Sequence, residues 1–246
     1  MANHVLLNNV DHKDLRVKAD YSAEYGDSVA SVLTFPSEFG DVHKEYPILF
    51  QKDASTGKFQ SVVLLGFHKG ENLFLSPNKT LGNIGWNASY VPGIVARGPF
   101  LIGFQDQSAD GGDERAPVIH IDMDNPRVST EEGERLFKEF GGNSAYLEKI
   151  SVILQGLHHG MSFSDEMFTA FEHFELIEPV TINVQLNDGE KISIQGNYTI
   201  SDEKLSQLSG EALEKLNRAG FLQGAFLVLS SFGNIKKLIE LKNQKV

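Results

Sequence analysis

The stretch VTINVQLNDGEKISI, residues 180–194, carries the clearest local pattern in the chain. Apolar and polar residues alternate on both sides of Asn187-Asp188-Gly189, as they do in half-buried strands, where successive side chains point to opposite faces. Asp-Gly favours a tight hairpin turn, because both residues tolerate the backbone angles that such a turn requires. The stretch therefore predicts a β-hairpin with one buried face.

Upstream of this hairpin, short apolar runs bounded by Pro, Gly and polar residues predict further strands. A polar segment rich in Gly and Asp, residues 105–115, is predicted to be a loop. The predicted strands cover residues 29–35, 46–50, 61–67, 72–75, 90–96, 99–104 and 118–123.

Helical patterns begin after residue 126. Ser129 and Glu132 match a capping box and predict a helix that ends at Gly141-Gly142. Downstream of the hairpin, residues 202–208 and 210–219 predict two short helices. Residues 221–242 predict a helical tail, with a strand at 225–229 as the alternative.

Two more helices are predicted between residue 144 and the hairpin. Ser144 caps the first, whose apolar residues recur at helical spacing up to Leu157, and Gly160 ends it. Ser162 begins the second, which carries Phe171 on its apolar face.

Strands grouped early and helices grouped late indicate an α+β fold. We expect an N-terminal, mostly antiparallel β region packed with C-terminal helices and the late hairpin. A single domain over residues 1–246 is the favoured organisation, with a weak internal boundary near residue 126.

Composition restricts the classes of function. The formal net charge of −11 disfavours nucleic acid and anionic lipid as partners. The chain has no Cys, which excludes disulfides, thiolate metal sites and Cys nucleophiles. No window approaches the roughly 20 apolar residues of a membrane span. The first residues lack the pattern of a signal peptide, so cytoplasmic residence is expected, and secretion without a cleaved signal stays open.

His120 and Asp122 are the sharpest candidates for metal binding. On a strand, an H-x-D pair places both side chains on one face. With a third ligand from His158, His159 or His173, the pair would form the two-His-one-carboxylate site of a non-haem iron oxygenase. The alternative is that Ile121 is buried and the pair faces solvent.

Two polar groups are candidates for ligand binding. Glu71 and Asn72 follow Gly70 between two apolar runs, where Glu71 could act as an acid, a base or a hydrogen-bond acceptor. A β-turn is the structural alternative for these residues. Tyr90 and Arg97 form the second group, because an arginine can clamp a carboxylate or phosphate with two parallel hydrogen bonds. A surface ion pair is the alternative for Arg97.

An ordered set of segments resembles the bacterial SapC-like family over nearly the whole chain. Compared with that family, this chain has only Arg97 where a pair of arginines is common, and His120 where Cys is frequent. The segments are HKDLRV (12–17), FPSEFGDVHKEYPILF (35–50), LLGFHKGENLF (64–74), YVPGIVARGPF (90–100), IDMDNPRVSTEEGERLF (121–137), FTAFEHFELIEP (168–179) and KISIQG (191–196).

The resemblance implies associations rather than a mechanism. The family name refers to surface-layer proteins, and related genes often lie beside genes for flavin-dependent halogenase-like enzymes and carbohydrate-uptake receptors. We therefore expect a non-catalytic binding or accessory protein, acting in nutrient uptake or beside a halogenase-like partner. An iron-dependent oxygenase is the alternative, and a surface-layer component is the third. No cofactor is expected, except iron under the oxygenase hypothesis.

Overall fold

The computed structural model describes residues 3–80, 83–106 and 115–245. The predicted loop at 105–115 therefore lies mostly outside the described residues. The strands of the described ranges are β1 (His4–Leu6), β2 (Arg16–Val17), β3 (Ser31–Thr34), β4 (Ile48–Lys52), β5 (Phe59–Leu64), β6 (Leu75–Thr80), β7 (Asn83–Trp86), β8 (Phe100–Asp106), β9 (Arg115–Asp122), β10 (Val128–Ser129), β11 (Glu134–Arg135), β12 (Ile177–Gln185) and β13 (Lys191–Ile200).

The helices alternate little with these strands, and most of them follow the hairpin. The helices of the described ranges are α1 (Phe39–Val42), α2 (Gly93–Ala96), α3 (Ala145–His173), α4 (Asp202–Ser206), α5 (Gly210–Arg218), α6 (Phe221–Ser231) and α7 (Asn234–Asn243). Short 3-10 helices lie at Ala23–Tyr25 and Pro36–Glu38. The α+β prediction is confirmed.

The late hairpin forms as predicted and extends the early sheet. Strands β12 and β13 pair antiparallel, and Gly189 occupies the left-handed region of the turn, with φ 92°. Tyr198 of β13 pairs with Phe50 of β4. The result is a five-stranded antiparallel sheet in the order β12-β13-β4-β5-β3. Its alternating residues Ile182 and Val184 are buried, as the sequence pattern predicts.

Three smaller sheets complete the strand arrangement of the described residues. One has the order β1-β9-β8, and a second has the order β10-β2-β11. Strands β6 and β7 form a two-stranded ribbon. All the strand pairs are antiparallel, which agrees with the predicted N-terminal β region.

The long helix α3 joins two hydrophobic clusters. Near its start, Leu147 and Ile150 pack in a smaller cluster with residues of β8 and β9. Near its end, Met167 and Phe171 pack in a larger cluster with the five-stranded sheet. A single domain over 1–246 stays a prediction, and this shared helix is compatible with it.

The last two helices are fixed to the N-terminal half by hydrogen bonds. Ser231 of α6 accepts a hydrogen bond at Oγ from the backbone N–H of Ile48 at 2.8 Å. The side-chain amide of Asn234 in α7 donates to the carbonyls of His43 and Tyr46 at 2.7 and 3.2 Å. The predicted helical tail is therefore correct, although Phe232-Gly233 separates it into two helices.

The helix predicted from Ser129 does not form. The Ser129 hydroxyl does cap a turn, because it accepts from the backbone N–H groups of Glu131 and Glu132 at 3.1 and 3.2 Å. Gly133 then adopts φ 104° and lies directly against the backbone of Val17. That left-handed residue ends the turn, and the chain continues into β11 instead of a helix.

Gly160 lies inside α3 rather than at a helix end. A Cβ at this position would lie 2.5 Å from Ser37 Oγ and 2.7 Å from the Cβ of Phe35. The glycine therefore lets the helix approach the segment before α1 closely, which propensity alone does not reveal. The two helices predicted on either side of Gly160 are one helix of 29 residues.

The strand predicted at residues 90–96 is also wrong. Pro92 precedes α2 and cannot donate to a strand ladder, and its φ of −52° suits the entry to a helical turn. The backbone N–H of Gly93 donates to the Glu38 carboxylate at 2.9 Å, which supplies a side-chain partner at the first turn.

No helix in the described ranges combines the length and the hydrophobicity needed to cross a bilayer.

Candidate functional site

The segment 90–98, which contains α2, borders three neighbouring cavities. The first, of about 380 Å³, lies between this segment and the start of α3. The second, of about 320 Å³, lies further along α3. These two cavities share Tyr21, Ala96, Lys149 and Ile153, so we treat them as one groove and call it the α2–α3 groove. Arg97 lines the third cavity.

Hydrogen bonds fix the start of this segment. The Glu45 carboxylate accepts from the backbone N–H groups of Ser89 and Tyr90 at 2.8 and 3.2 Å. The hydroxyl of Tyr46 donates to the Tyr90 carbonyl at 2.5 Å and accepts from the indole N–H of Trp86 at 2.8 Å. Both Tyr46 and Trp86 are fully buried, so the segment rests on rigid core residues.

Glu38 holds the wall of the second cavity. One carboxylate oxygen accepts from the hydroxyl of Tyr90 and the backbone N–H of Gly93, at 2.8 and 2.9 Å, and the other accepts from the hydroxyl of Thr34 at 2.9 Å. Burial, reinforced by the charge of Glu38, raises the pKa of Tyr90. Tyr90 therefore stays protonated and donates to Glu38.

Arg127 forms part of the floor of the first cavity. Its guanidinium contacts the Asp27 carboxylate at 2.5 Å, and both side chains are buried. The rings of Tyr21 and Tyr25 lie 5.6 and 5.0 Å from the guanidinium carbon. Burial outweighs the attraction of Arg127 and raises the pKa of Asp27, so this pair contributes little net stability. We infer that the Asp27–Arg127 ion pair holds the Arg127 side chain in a defined orientation.

Two phenol hydroxyls border the same cavity and have no hydrogen-bond partner among the residues that the structure describes. Among the described residues, neither Tyr21 nor Tyr146 makes a hydrogen bond through its hydroxyl. Their rings are nevertheless fixed, since Tyr21 packs edge-on against Trp86 at 5.5 Å and Tyr146 packs against Phe100 at 6.2 Å. Burial raises the pKa of Tyr21 to about 12 and also raises the pKa of Tyr146. Both phenols are therefore donors at neutral pH.

The charged groups at the first cavity leave one cation and one anion unpaired. Lys18 is paired with Glu132 at 3.0 Å, and Arg127 is paired with Asp27. Lys149 and Glu134 also border the cavity, are exposed, and have no ion pair within the described part of the chain. The apolar part of the wall includes Ile84, Val95, Ala96, Ile150 and Ile153.

Glu71 and Asn72 have structural roles in this arrangement. Glu71 contacts Lys242 of α7 at 2.7 Å and accepts from the backbone N–H of Phe67 at 2.9 Å. Asn72 is buried, donates to the Asp27 carbonyl at 2.8 Å and accepts from the N–H of Phe74 at 3.0 Å. The strand predicted at 72–75 therefore begins only at Leu75, because the Asn72 side chain fixes a turn before it.

Tyr90 and Arg97 lie on the same segment but border different cavities. Tyr90 borders the α2–α3 groove, whereas Arg97 borders the third cavity. Their assignment as ligand-binding residues stays a prediction.

His120 and Asp122 lie on the face of β9 opposite the buried Ile121. Asp122 accepts from the backbone N–H groups of Asn3 and Asp124 at 2.9 and 3.2 Å, which is a turn-stabilising role. In the described ranges, no group of three or more His, Cys, Asp or Glu side chains is placed to hold a metal ion. The described residues therefore provide no third ligand for an iron site, and the pair stays a prediction without structural support.

The sequence patterns missed most residues of the groove. Glu38, Arg127 and Lys149 come from distant parts of the chain, and no local spacing links them. One signal was present on α3, where Tyr146, Lys149 and Ile153 follow helical spacing beside the apolar face that was recognised.

Comparison with protein-family models matches residues 7–238 to SapC. The chain belongs to the SapC family. No match to this chain was found among curated proteins or among solved structures. The family membership confirms the resemblance, and the function of this SapC-family chain is argued from its own residues.

Proposed function

We propose that this SapC-family chain is a non-catalytic binding protein whose α2–α3 groove takes a small organic carboxylate with an apolar body. The observation that carries this proposal is the combination of an apolar wall, two fixed phenol donors and the unpaired ammonium of Lys149 around one cavity. Small-molecule sites are commonly apolar cavities of roughly 300–1,000 Å³ with a few polar groups that fix orientation.

The chemistry of the groove favours binding over catalysis. The raised pKa values of Tyr21, Tyr90 and Tyr146 keep these phenols protonated, so they donate hydrogen bonds and do not act as bases at neutral pH. Glu38 already accepts three hydrogen bonds. The hydroxyls of Tyr21 and Tyr146 can therefore orient a carboxylate, with Lys149 as its counter-charge.

Glu134 refines the ligand class. It borders the same cavity and is exposed, and a ligand that carries an ammonium group beside its carboxylate would satisfy both Glu134 and Lys149. Amino acids with apolar side chains therefore fall within the proposed class.

Thermal denaturation with matched ligands tests the proposal. Hexanoate and norleucine carry the carboxylate on the same carbon skeleton, and hexanamide lacks the charge. We expect the two carboxylates, but not hexanamide, to raise the melting temperature, since a ligand at 100 times its Kd stabilises by about 2.7 kcal/mol. The replacement Lys149→Gln should weaken binding about tenfold, as expected for the loss of one charge-assisted hydrogen bond.

Lys191→Gln is the matched control, because Lys191 is an exposed residue of the distant hairpin. Equal responses to hexanoate and hexanamide, or equal affinities of the Lys149 and Lys191 variants, would refute a carboxylate site in the groove.

The cellular context belongs to the same proposal. We suggest a bacterial, cytoplasmic accessory protein that works beside uptake machinery or a flavin-dependent halogenase-like partner, as the family resemblance implies. Co-purification from the native host and cell fractionation test this part. Recovery in an exported surface layer would favour the third hypothesis instead.

A further inference from the structure

The third cavity has a volume of about 320 Å³ and is lined in part by Arg97. Lys149 is not among the residues that line it. The apolar part of its wall is formed by Val29, Val32, Leu33, Ile94 and Val95. Its polar border consists of Tyr25, Asp27, Arg97, Asn125 and Arg127. The cavity therefore places two guanidinium groups and one carboxylate beside apolar side chains.

Arg97 has no counter-charge among the described residues. Its guanidinium donates to the Phe100 carbonyl at 2.6 Å. It forms no ion pair with a carboxylate in ranges 3–80, 83–106 and 115–245. Burial lowers the pKa of Arg97, as expected for a cation that is withdrawn from water without an opposite charge.

The carboxylate at the cavity does not neutralise Arg97. Asp27 contacts Arg127 at 2.5 Å and also accepts from the backbone N–H of Ser22 at 2.9 Å. The Asp27–Arg127 pair is therefore electrically balanced by itself. One positive charge, that of Arg97, remains in excess among the residues that border the cavity.

Additional donors border the cavity. Asn125 uses its side-chain oxygen to accept from the backbone N–H of Arg127 at 3.0 Å, so its amide nitrogen remains available as a donor. The hydroxyl of Tyr25 also has no hydrogen-bond partner among the residues that the structure describes. An anion in the cavity would thus meet a guanidinium, an amide and a phenol.

We propose that this cavity binds a small oxyanion of the phosphate or sulfate type, with Arg97 as its principal partner. The planar guanidinium donates two parallel hydrogen bonds that match the oxygens of such an anion. The partial burial of Arg97 strengthens this interaction, because charges attract more strongly where water is partly excluded. The anion would supply the counter-charge that Arg97 lacks in the described residues.

The source of the oxyanion can be either a free ion or the anionic group of a larger molecule. The cavity lies at the lower end of the volumes found for small-molecule sites, which leaves room beside the phosphate itself. Inorganic phosphate and glycerol phosphate distinguish these sources. Tighter binding of glycerol phosphate identifies a phosphate ester, and equal or tighter binding of inorganic phosphate identifies the free ion.

Calorimetric titration of the full chain with both compounds, against sodium chloride at equal ionic strength, tests the proposal. We expect saturable phosphate binding that chloride does not reproduce. Arg97→Gln should weaken it about tenfold or more, as expected for charged hydrogen bonds. Arg135→Gln, which changes an exposed arginine of β11, should bind phosphate like the unmodified protein.

Two results would overturn the proposal: no saturable binding by the unmodified protein, or equal phosphate affinity in the Arg97→Gln variant. If that variant fails to fold, Arg97→Lys replaces it, since lysine keeps the charge but loses the planar fork. Undiminished phosphate binding by Arg97→Lys then contradicts the assignment. Lys149→Gln should leave phosphate binding unchanged, so this result and that of the carboxylate test are independent.

Discussion

The five-stranded sheet and the segment 90–98 are stabilised by different combinations of contacts. The sheet is held by apolar packing, as shown by Phe50, which is fully buried and packs against Phe168 and Phe171 at ring distances of 5.0 and 6.3 Å. The segment packs Val91 and Val95 into the same hydrophobic core. It is held in addition by hydrogen bonds with the side chains of Glu38, Glu45 and Tyr46. We therefore expect substitutions in the sheet to affect mainly stability, and substitutions at the segment to affect the proposed ligand binding.

The largest expected effect concerns the sheet. Phe50→Ala removes a buried ring, so we expect the free energy of unfolding to fall by about 3–5 kcal/mol. Urea denaturation measures this change. The folded fraction should still bind hexanoate with unchanged affinity, and a selective loss of binding would contradict the separation of the two regions.

Replacing either of two glycines of α3 should change the stability of the protein by an intermediate amount. Gly160→Ala forces a methyl group against Phe35 and Ser37, and should destabilise by about 1–3 kcal/mol. Gly156→Ala is the matched control, because no atom lies within 4 Å of its added Cβ. It should stabilise the helix by about 0.5–1 kcal/mol. If both variants change the free energy of unfolding in the same direction, α3 does not approach Phe35 and Ser37 as closely at Gly160 as the structure shows.

The smallest effect concerns Glu45, which holds the segment. Burial opposes ionisation, but hydrogen bonds from Ser89 and Lys237 outweigh it and lower the pKa of Glu45. A carboxyl whose folded pKa is lowered stabilises the protein above its unfolded pKa, and this contribution is lost as the pH falls through the folded pKa. Glu45→Gln should therefore cost about 1 kcal/mol at neutral pH and progressively less below pH 4.5.

Urea denaturation at several pH values measures this difference, with Glu172→Gln, an exposed residue of α3, as the control. A difference that stays constant between neutral and acidic pH would show that the charge of Glu45 does not hold the segment.

The sequence predicted those elements of secondary structure that depend on a local pattern of residues. The hairpin followed from strict alternation and an Asp-Gly turn, and the start of α3 followed from Ser144, whose hydroxyl accepts from the N–H of Leu147 at 3.2 Å. The error at 90–96 has a local cause, because Pro92 cannot donate to a strand ladder. The errors at Gly160 and after Ser129 share a different cause. In each case a contact with a distant segment decides the backbone conformation, and no local pattern encodes that contact.

The candidate site was predicted only in part for the same reason. Tyr90 and Arg97 were recognised as a polar group, although they serve two cavities. Glu38, Arg127 and Lys149 become neighbours of this segment only in the folded chain. A buried ion pair such as Asp27–Arg127 has no sequence signature, because its residues are 100 positions apart.

The most direct test of the central claim uses the absence of Cys in this chain. Ile153→Cys places a single thiol in the α2–α3 groove, and Glu172→Cys places one on the exposed far end of α3. Saturating hexanoate should slow alkylation of the Cys at position 153 by iodoacetamide and leave position 172 unaffected. If both thiols react at unchanged rates while hexanoate is shown to bind, the ligand occupies another part of the molecule and the groove is not its site.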